Sequence, residues 1–527
     1  MENLGGDKVL VIDFGSQYSH LICRRSRELQ VYSELCACTV SVDEVTAFAP
    51  TGIILSGGPS SVYEAGSPHL SPDVWAYIRS HKVPVLGICY GLQEMMHANG
   101  GTVEKGSKRE FGLSTLVVSG HSSKIFAGME STSKVWMSHG DKVTALAPAF
   151  VVTAVSDNSE MCAVENQDLN WFGLQFHPEV THSAAGTAML RNFIVGVCGC
   201  SQRWTMTRFI AAEVEKIHAM VGDEGHVIGA VSGGVDSSVG AALLHAALGK
   251  RFHPILVDTG LMRFEEAIEV KARLEQHIPG LSLLVVSAKE KFFAGLSGVS
   301  DPEKKRKIIG NLFIETFDDT VRNVLKMEPK HCHLLQGTLY PDVIESVSYK
   351  GPSHTIKTHH NVGGLPEKMQ MKILEPFRLL FKDEVRNVGL ELGLHKDSVF
   401  RHPFPGPGLA IRIIGAISED AVSALQIADH IFIEELKLAG EYDKIGQAFV
   451  VLLNDVKSVG VMGDCRTHEK VVCLRAVQTS DFMTADWYRM PYDLLSKVST
   501  RIVNEVRGIN RVTYDVTSKP PATIEWE

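Results

Sequence analysis

The sequence has no long apolar runs: nowhere in its 527 residues does an uninterrupted apolar stretch approach about 18 residues, the length a membrane-crossing helix needs. It also has no basic-then-apolar leader. The chain begins Met1-Glu2-Asn3 and reaches a strand by Val9, so a cytoplasmic location and no membrane partner are expected. Its ten cysteines lack metal-ligand spacing. The pairs Cys36-Ala37-Cys38 and Cys198-Gly199-Cys200 leave one residue between thiols, poor geometry for zinc, and the scatter reads as reduced cytosolic thiols. Nor is there a surplus of basic residues: the formal net charge is −9, which argues against nucleic acid as a partner, because phosphate neutralisation needs basic stripes. Internal repeats and low-complexity tracts are missing too. These absences leave a globular protein that acts on small molecules.

With 44% hydrophobic residues the chain can fill several cores, and its length suggests about three domains. Short apolar runs recur at 9–14, 52–55, 83–88, 227–231, 255–257, 283–286 and 333–336, with helical stretches between them. That alternation predicts α/β architecture: two doubly wound, mainly parallel-sheet domains followed by a smaller α+β domain. A linker at 198–202 precedes a helix over 207–221, with Phe209, Ile210, Val214, Ile217 and Val221 on one face, which places a first boundary near 203. A second break falls at His402-Pro403-Phe404-Pro405-Gly406-Pro407-Gly408, where proline and glycine forbid regular structure. The expected domains are therefore 1–203, 204–402 and 403–527.

The run GICYGLQ, residues 87–93, follows a strand and leads into a helix. Strand, G-x-nucleophile-x-G and helix form a nucleophile elbow, and the helix N-terminus favours the thiolate, so Cys89 is a candidate nucleophile. FGLQFHPE, 172–179, offers a base: His177 and Glu179 share a face if the segment is extended, and Glu179 would orient and polarise His177. For the oxyanion, LSGGPSS at 55–61 follows a strand with Gly57-Gly58-Pro59, and the Tyr90 N–H is a second donor beside Gly58. Together these are the parts for acyl transfer by a Cys-His-Glu triad.

GGP, GICYGLQ and QFHPE, in this order, resemble the class I glutamine amidotransferases over about the first 200 residues. The resemblance implies hydrolysis of glutamine to glutamate and ammonia. It also implies that Gln93 and the loop Ser138-His139-Gly140-Asp141 hold the glutamine head group and amide.

A second constellation lies at 227–244, where an apolar strand meets a Ser/Gly turn and then a helix. Free N–H groups and the positive dipole end converge there, which suits an anion such as phosphate; without Gly-Lys-Ser/Thr it is not a Walker A loop. The run Ser232-Gly233-Gly234-Val235-Asp236-Ser237-Ser238 resembles the pyrophosphate loop of N-type ATP pyrophosphatases, which implies ATP binding and adenylation. Asp236 would then suit Mg²⁺, since the ion screens its charge from the phosphates.

An ammonia source beside an adenylating module implies activation of an oxygen as its adenylate and displacement of AMP by ammonia. NAD synthetases, asparagine synthetases, tRNA thiolases and GMP synthetases share such an ATP loop. DPEKKRKIIG (301–310), GTLYPDVIES (337–346), IKTHHNVGGLP (356–366), HPFPGPGLAIR (402–412) and KPPATIEWE (519–527) resemble the glutamine-hydrolysing GMP synthetases, essentially end to end. That family implies glutamine, ATP and XMP as substrates, and a homodimer formed through 403–527. It further implies Arg306 at the XMP phosphate, Lys357 in a lid over the reacting phosphates, Lys519 and Glu525 in the nucleotide pocket, and Asp464 of VMGDCR beside them.

Composition alone reads the last residues as a disordered end. It reads Lys304, Lys305, Arg306 and Lys307 as a basic helix start, unfavourable against the helix dipole, that a bound anion would relieve; the following helix carries an apolar stripe of Ile308, Ile309, Leu312, Phe313, Phe317, Val321 and Val324. Competing readings are another glutamine-dependent ligase such as NAD synthetase, a non-catalytic binding homologue, or a plain amidase, which would leave 204–527 without a role.

Overall fold

The computed structural model describes residues 6–119, 123–346, 371–462, 465–479, 482 and 484–527. The described residues gather into two compact units, 6–212 with 341–346 and 213–340 with those from 371 onward.

The first unit contains β1 (Lys8–Asp13), β2 (Tyr32–Ala37), β3 (Gly52–Leu55), β4 (Val85–Ile88), β5 (Thr102–Val118), β6 (Thr132–Ala145), β7 (Val151–Ser156), β8 (Ala163–Asn166) and β9 (Trp171–Leu174). Among the described residues they form one sheet in the order β2-β1-β3-β4-β9-β8-β7-β5-β6. The β2-β1-β3-β4-β9 half is parallel and the remainder antiparallel. β3, β4 and β9 are buried along their whole length, as strands covered on both faces must be, and this is why they read as unbroken apolar runs. Leu55, Val85, Tyr90, Leu92 and Trp171 belong to the core beneath them.

β4 passes directly into the helix Tyr90–Ala98. The turn is so tight that a Cβ on Gly91 would lie 2.3 Å from the Leu55 carbonyl oxygen, and one on Gly87 would lie 2.6 Å from that of Gly91. Both glycines of the elbow are therefore dictated by backbone against backbone.

The segment read as a linker is tied to this unit. Ser201 N–H donates to the Asp7 carboxylate at 2.8 Å, Trp204 N–H donates to the Gln30 carbonyl at 2.8 Å, and the Trp204 ring packs 4.8 Å from that of Tyr32. The helix that follows, Met206–Val221, buries Phe209, Ile217 and Val221 and leaves Ile210 and Val214 half-buried.

In the second unit β10 (His226–Ala230), β11 (Phe252–Asp258), β12 (Leu284–Ser287), β13 (Cys332–Leu335) and β14 (Lys372–Leu374) form a fully parallel sheet in the order β12-β11-β10-β13-β14. β15 (Ile413–Ile414), β16 (Gln447–Met462), β17 (Cys465–Gln478), β18 (Asp486–Trp487) and β19 (Ile509–Tyr514) form a mixed sheet, covered by the helices Glu419–Leu438 and Tyr492–Glu505. One hydrophobic core runs through both sheets, from Ile228 and Ile255 through Leu409 and Ile413 to Val472 and Ile509. The Pro/Gly segment at 402–408 thus joins two sheets that share one core, with only His402 and Gly408 of the segment buried.

The apolar stripe after Arg306 is only partly as expected. Ile309, Phe317 and Val321 are buried, but the helix Pro302–Asp319 gives way to a wider turn at Thr320–Val324, which shifts the face and leaves Val324 56% exposed.

Candidate active site

β4 delivers Cys89 to the head of the helix Tyr90–Ala98 with φ 52° and ψ −104°, a conformation that L-residues avoid and that active sites retain for function. The strain is held by the Cys89 N–H, which donates to the Leu174 carbonyl at 2.7 Å, and by the Cys89 carbonyl, which accepts from the Gln93 N–H at 3.2 Å. The thiol opens into a cleft of about 640 Å³ that Gly58, Gln93, Ser138, His139, Gly140, Asp141 and His177 also line.

His177 lies just past β9, outside regular strand. It still meets Glu179: Nδ1 is 2.7 Å from Oε1, with both side chains buried. The His177 N–H donates to the Trp136 carbonyl at 3.0 Å, and Arg25 Nε donates to the Glu179 carbonyl at 3.1 Å, so the pair is fixed at the backbone as well. Burial opposes charge on His177, but the Glu179 carboxylate and the hydrogen bond with Cys89 outweigh it and push its pKa up to about 11. The ring therefore holds a proton firmly beside the sulfur. Tyr18 packs edge-on against it, centroids 5.3 Å apart.

Gly58, past the end of β3, sits so close to the chain after β1 that a Cβ would come within 2.7 Å of the Phe14 carbonyl oxygen and 3.3 Å of the Tyr90 ring, which keeps this position bare. Tyr90 is the first residue of the helix, a position whose N–H has no intrahelical acceptor. Its ring is structural: the hydroxyl donates to the Pro68 carbonyl at 2.7 Å, and burial with the nearby Glu94 pushes the phenol pKa up.

The Ser138–Asp141 segment is expected as a loop and is found inside β6. The β5–β6 register shifts opposite it, between Lys105 and Glu110, and these residues line the cleft from a strand. Gln93 Nε2 donates to the Asp141 carbonyl at 3.0 Å, and His139 Nδ1 is 3.0 Å from the same oxygen. Three contributors lie outside the sequence reading. Glu110 stands opposite His139, with Oε2 3.0 Å from Nε2, and both are buried. Tyr63 donates its hydroxyl to the Asp141 carboxylate at 3.1 Å. Gln175 lies beside the thiol. Only Gln175, in QFHPE, sits inside a motif the sequence flags; the others arrive through strand pairing and loop placement.

In the second unit the helix Val235–Leu248 starts from Gly234, immediately after β10. The Ser232–Ser238 turn is held by Ser237: its Oγ accepts from the Ser232 N–H at 3.2 Å and donates to the Gly234 carbonyl at 3.1 Å. Ser238 is buried and Val235 faces the core, so these two support the turn. Arg401 folds back onto it, donating from Nη1 to the Gly233 carbonyl at 2.8 Å and from Nη2 to Glu266 at 2.6 Å. Asp236 has Oδ2 3.1 Å from Lys382 Nζ, while its buried Oδ1 has no hydrogen-bond partner among the described residues. An orphaned carboxylate oxygen at a phosphate-type turn fits a hard cation that takes one carboxylate and completes its shell with phosphate and water oxygens.

The basic helix start is relieved by the protein itself. Asp301 caps the helix, its carboxylate accepting from the Lys304 N–H at 2.8 Å. Lys305 is fully buried and donates to the carbonyls of Ala410 at 3.2 Å and Ile413 at 2.7 Å, and to Glu527 at 2.6 Å. Arg306 Nη2 donates to the Glu527 backbone oxygen at 2.7 Å. Glu525 receives the buried Arg412 through two bonds, 2.9 and 3.2 Å, and Gln447 at 2.8 Å. Lys519 pairs its backbone with Ala485 and donates from Nζ to the Phe482 carbonyl at 2.6 Å. The tail is thus folded in, against the reading from composition, because it carries the counter-charges of buried cations. It brings Arg306 and Glu525 into one charged neighbourhood. Lys357 and Asp464 lie outside the described residues.

Among the described residues no helix is long and apolar enough to cross a membrane. Comparison with known proteins matches residues 10–197 to the family model "Glutamine amidotransferase class-I" and residues 434–526 to "GMP synthase C terminal domain". The chain is 55% identical over 522 residues to "GMP synthase [glutamine-hydrolyzing]" of Debaryomyces hansenii, covering 99% of this chain and 97% of that one. It is 54% identical over 522 residues to the protein of the same name in Saccharomyces cerevisiae, covering 99% and 98%. The Aspergillus oryzae protein of that name is 53% identical over 538 residues, covering 99% and 98%.

Proposed function

The chain belongs to the family of glutamine-hydrolysing GMP synthases, and on that footing we propose that it hydrolyses glutamine, adenylates XMP and aminates it to GMP, with the residues above dividing the work. The Cys89 thiolate attacks the glutamine amide carbon while the oxyanion takes N–H donation from Gly58 and Tyr90. His177, held protonated by Glu179, gives its proton to the departing ammonia, then takes one from the water that splits the glutamyl thioester to glutamate. Gln93, Ser138, His139, Gly140 and Asp141 hold the substrate's head group and amide.

In the second unit, Ser232–Ser238 with its N–H groups cradles the ATP phosphates. The Asp236 carboxylate would hold Mg²⁺, which would neutralise charge on the pyrophosphate leaving group. The C2 oxygen of XMP attacks the α-phosphorus and pyrophosphate departs; ammonia then adds at C2 and AMP is expelled. Arg306, Lys519 and Glu525, with Lys357 and Asp464, are assigned to the nucleotide and its lid by family likeness. We assign 1–203 to glutamine hydrolysis, 204–402 to adenylation and 403–527 to XMP binding and homodimer formation, in a cytoplasmic protein.

The observation that carries this reading is the His177–Glu179 pair on the cleft that holds the strained Cys89, in a chain that matches its relatives over 99% of its length. The test is GMP formation from XMP, ATP and Mg²⁺ with glutamine or ammonium as donor. Wild type is expected to use both and Cys89→Ala ammonium alone. Absence of AMP formation with either donor, while glutamate is released, would remove the GMP synthase assignment and leave the glutaminase.

A further inference from the structure

The parallel pairing of β4 with β9 ends at Ile88 and Leu174, so the next residues on each strand, Cys89 and Gln175, emerge side by side. The Gln175 side chain is completely buried. Its Nε2 stands 3.8 Å from the Cys89 sulfur, and its Oε1 has no hydrogen-bond partner among the described residues. A buried amide that satisfies only one end costs stability, and a residue chosen for packing alone would be apolar here. The sulfur is also 3.8 Å from the Ser138 carbonyl oxygen. It therefore has within reach both an acceptor that suits the neutral thiol and a donor that suits the thiolate.

We propose that Gln175 is a catalytic residue of the glutaminase site: its side-chain amide donates an N–H to the Cys89 sulfur and stabilises it as the thiolate that attacks glutamine. The inference rests on Cys89 being the nucleophile. A hydrogen bond to an ionised sulfur is stronger than one to the thiol, so the donor shifts the balance toward thiolate. His177, paired with Glu179, and His139, paired with Glu110, line the same cleft, as do Tyr18, Tyr63, Glu64, Lys105, Arg109 and Asp141. The strained turn fixes the sulfur's direction, His177 supplies the proton and Gln175 supplies a neutral donor that stays in place through both half-reactions.

The test measures iodoacetamide alkylation of Cys89 against pH in the full chain, resolved by mass spectrometry of the Cys89 peptide, in wild type, Gln175→Met and Gln175→Glu. Gln175→Met removes the donor at similar volume. Its alkylation profile is expected to move up by about one pH unit, with an about tenfold drop in rate at pH 7. The kcat for glutamine hydrolysis should fall in parallel while KM holds. Gln175→Glu, which adds a negative charge, should move the profile further up, and it carries the test if the Met variant fails to fold by thermal unfolding. An unchanged or lowered profile in a folded variant overturns the proposal alone. Glutamine hydrolysis surviving in Cys89→Ala overturns the nucleophile assignment, and the proposal with it.

Discussion

Cys89 and Asp236 each stand at the start of a helix that follows a buried parallel strand, yet the two turns are built to opposite ends. Around Cys89 the first unit supplies most of what the proposed chemistry needs: a strained cysteine, a histidine locked to a buried carboxylate, and glycines fixed by backbone contact. Around Asp236 the second unit leaves a carboxylate oxygen without a hydrogen-bond partner among the described residues, at a helix start held by serines and by Arg401. Covalent catalysis demands atoms in place before the substrate arrives. A polyanion instead brings its own oxygens and cation, so its site is best left short of partners.

The largest break in that comparison is Cys89→Ala, expected to lower glutamine-dependent ammonia release by roughly 10⁴-fold or more, read as glutamate formed per enzyme. Asp236→Asn is the counterpart on the other unit. It should reduce XMP-dependent AMP formation by about 10³-fold with ammonium as donor and leave the fold intact by circular dichroism.

Glu179→Gln separates proton handling from nucleophilicity and should reduce glutamine hydrolysis by about 10²-fold. It also carries a pH signature. The His177 pKa is raised, burial being outweighed by Glu179 and Cys89, so the stability from this pair is complete below the ordinary histidine pKa of about 6.5 and is lost as pH rises through about 11. Wild type should therefore exceed Glu179→Gln in denaturation midpoint most near pH 6, and the gap should close in alkaline buffer.

The smallest effect sharpens the contrast in rigidity. Gly91→Ala meets the Leu55 carbonyl and should cost about 2–3 kcal/mol by chemical denaturation. At the other turn, Gly234→Ala meets only the Ser232 and Ser237 hydroxyls, at 3.3 and 4.0 Å, and should cost less than about 1 kcal/mol.

Much of this was determined by the sequence itself, because the signals are local. Apolar runs such as 52–55 and 83–88 mark strands buried on both faces, and β3 and β4 lie within them. Gly87 and Gly91 around Cys89 announce a turn that no other residue tolerates, and His177 and Glu179 are close enough in the chain to find each other whatever the backbone does between them. Tertiary structure alone decided the rest. Gln175 reaches the thiol through the β4–β9 register, and Glu110 meets His139 across an irregular hairpin. Arg401 returns to Gly233 from 168 residues away, and Lys305 finds Glu527 across 222. Burying a charge is costly enough that some counter-charge must meet it, but its position in the chain is set by how the elements pack, which no local pattern records.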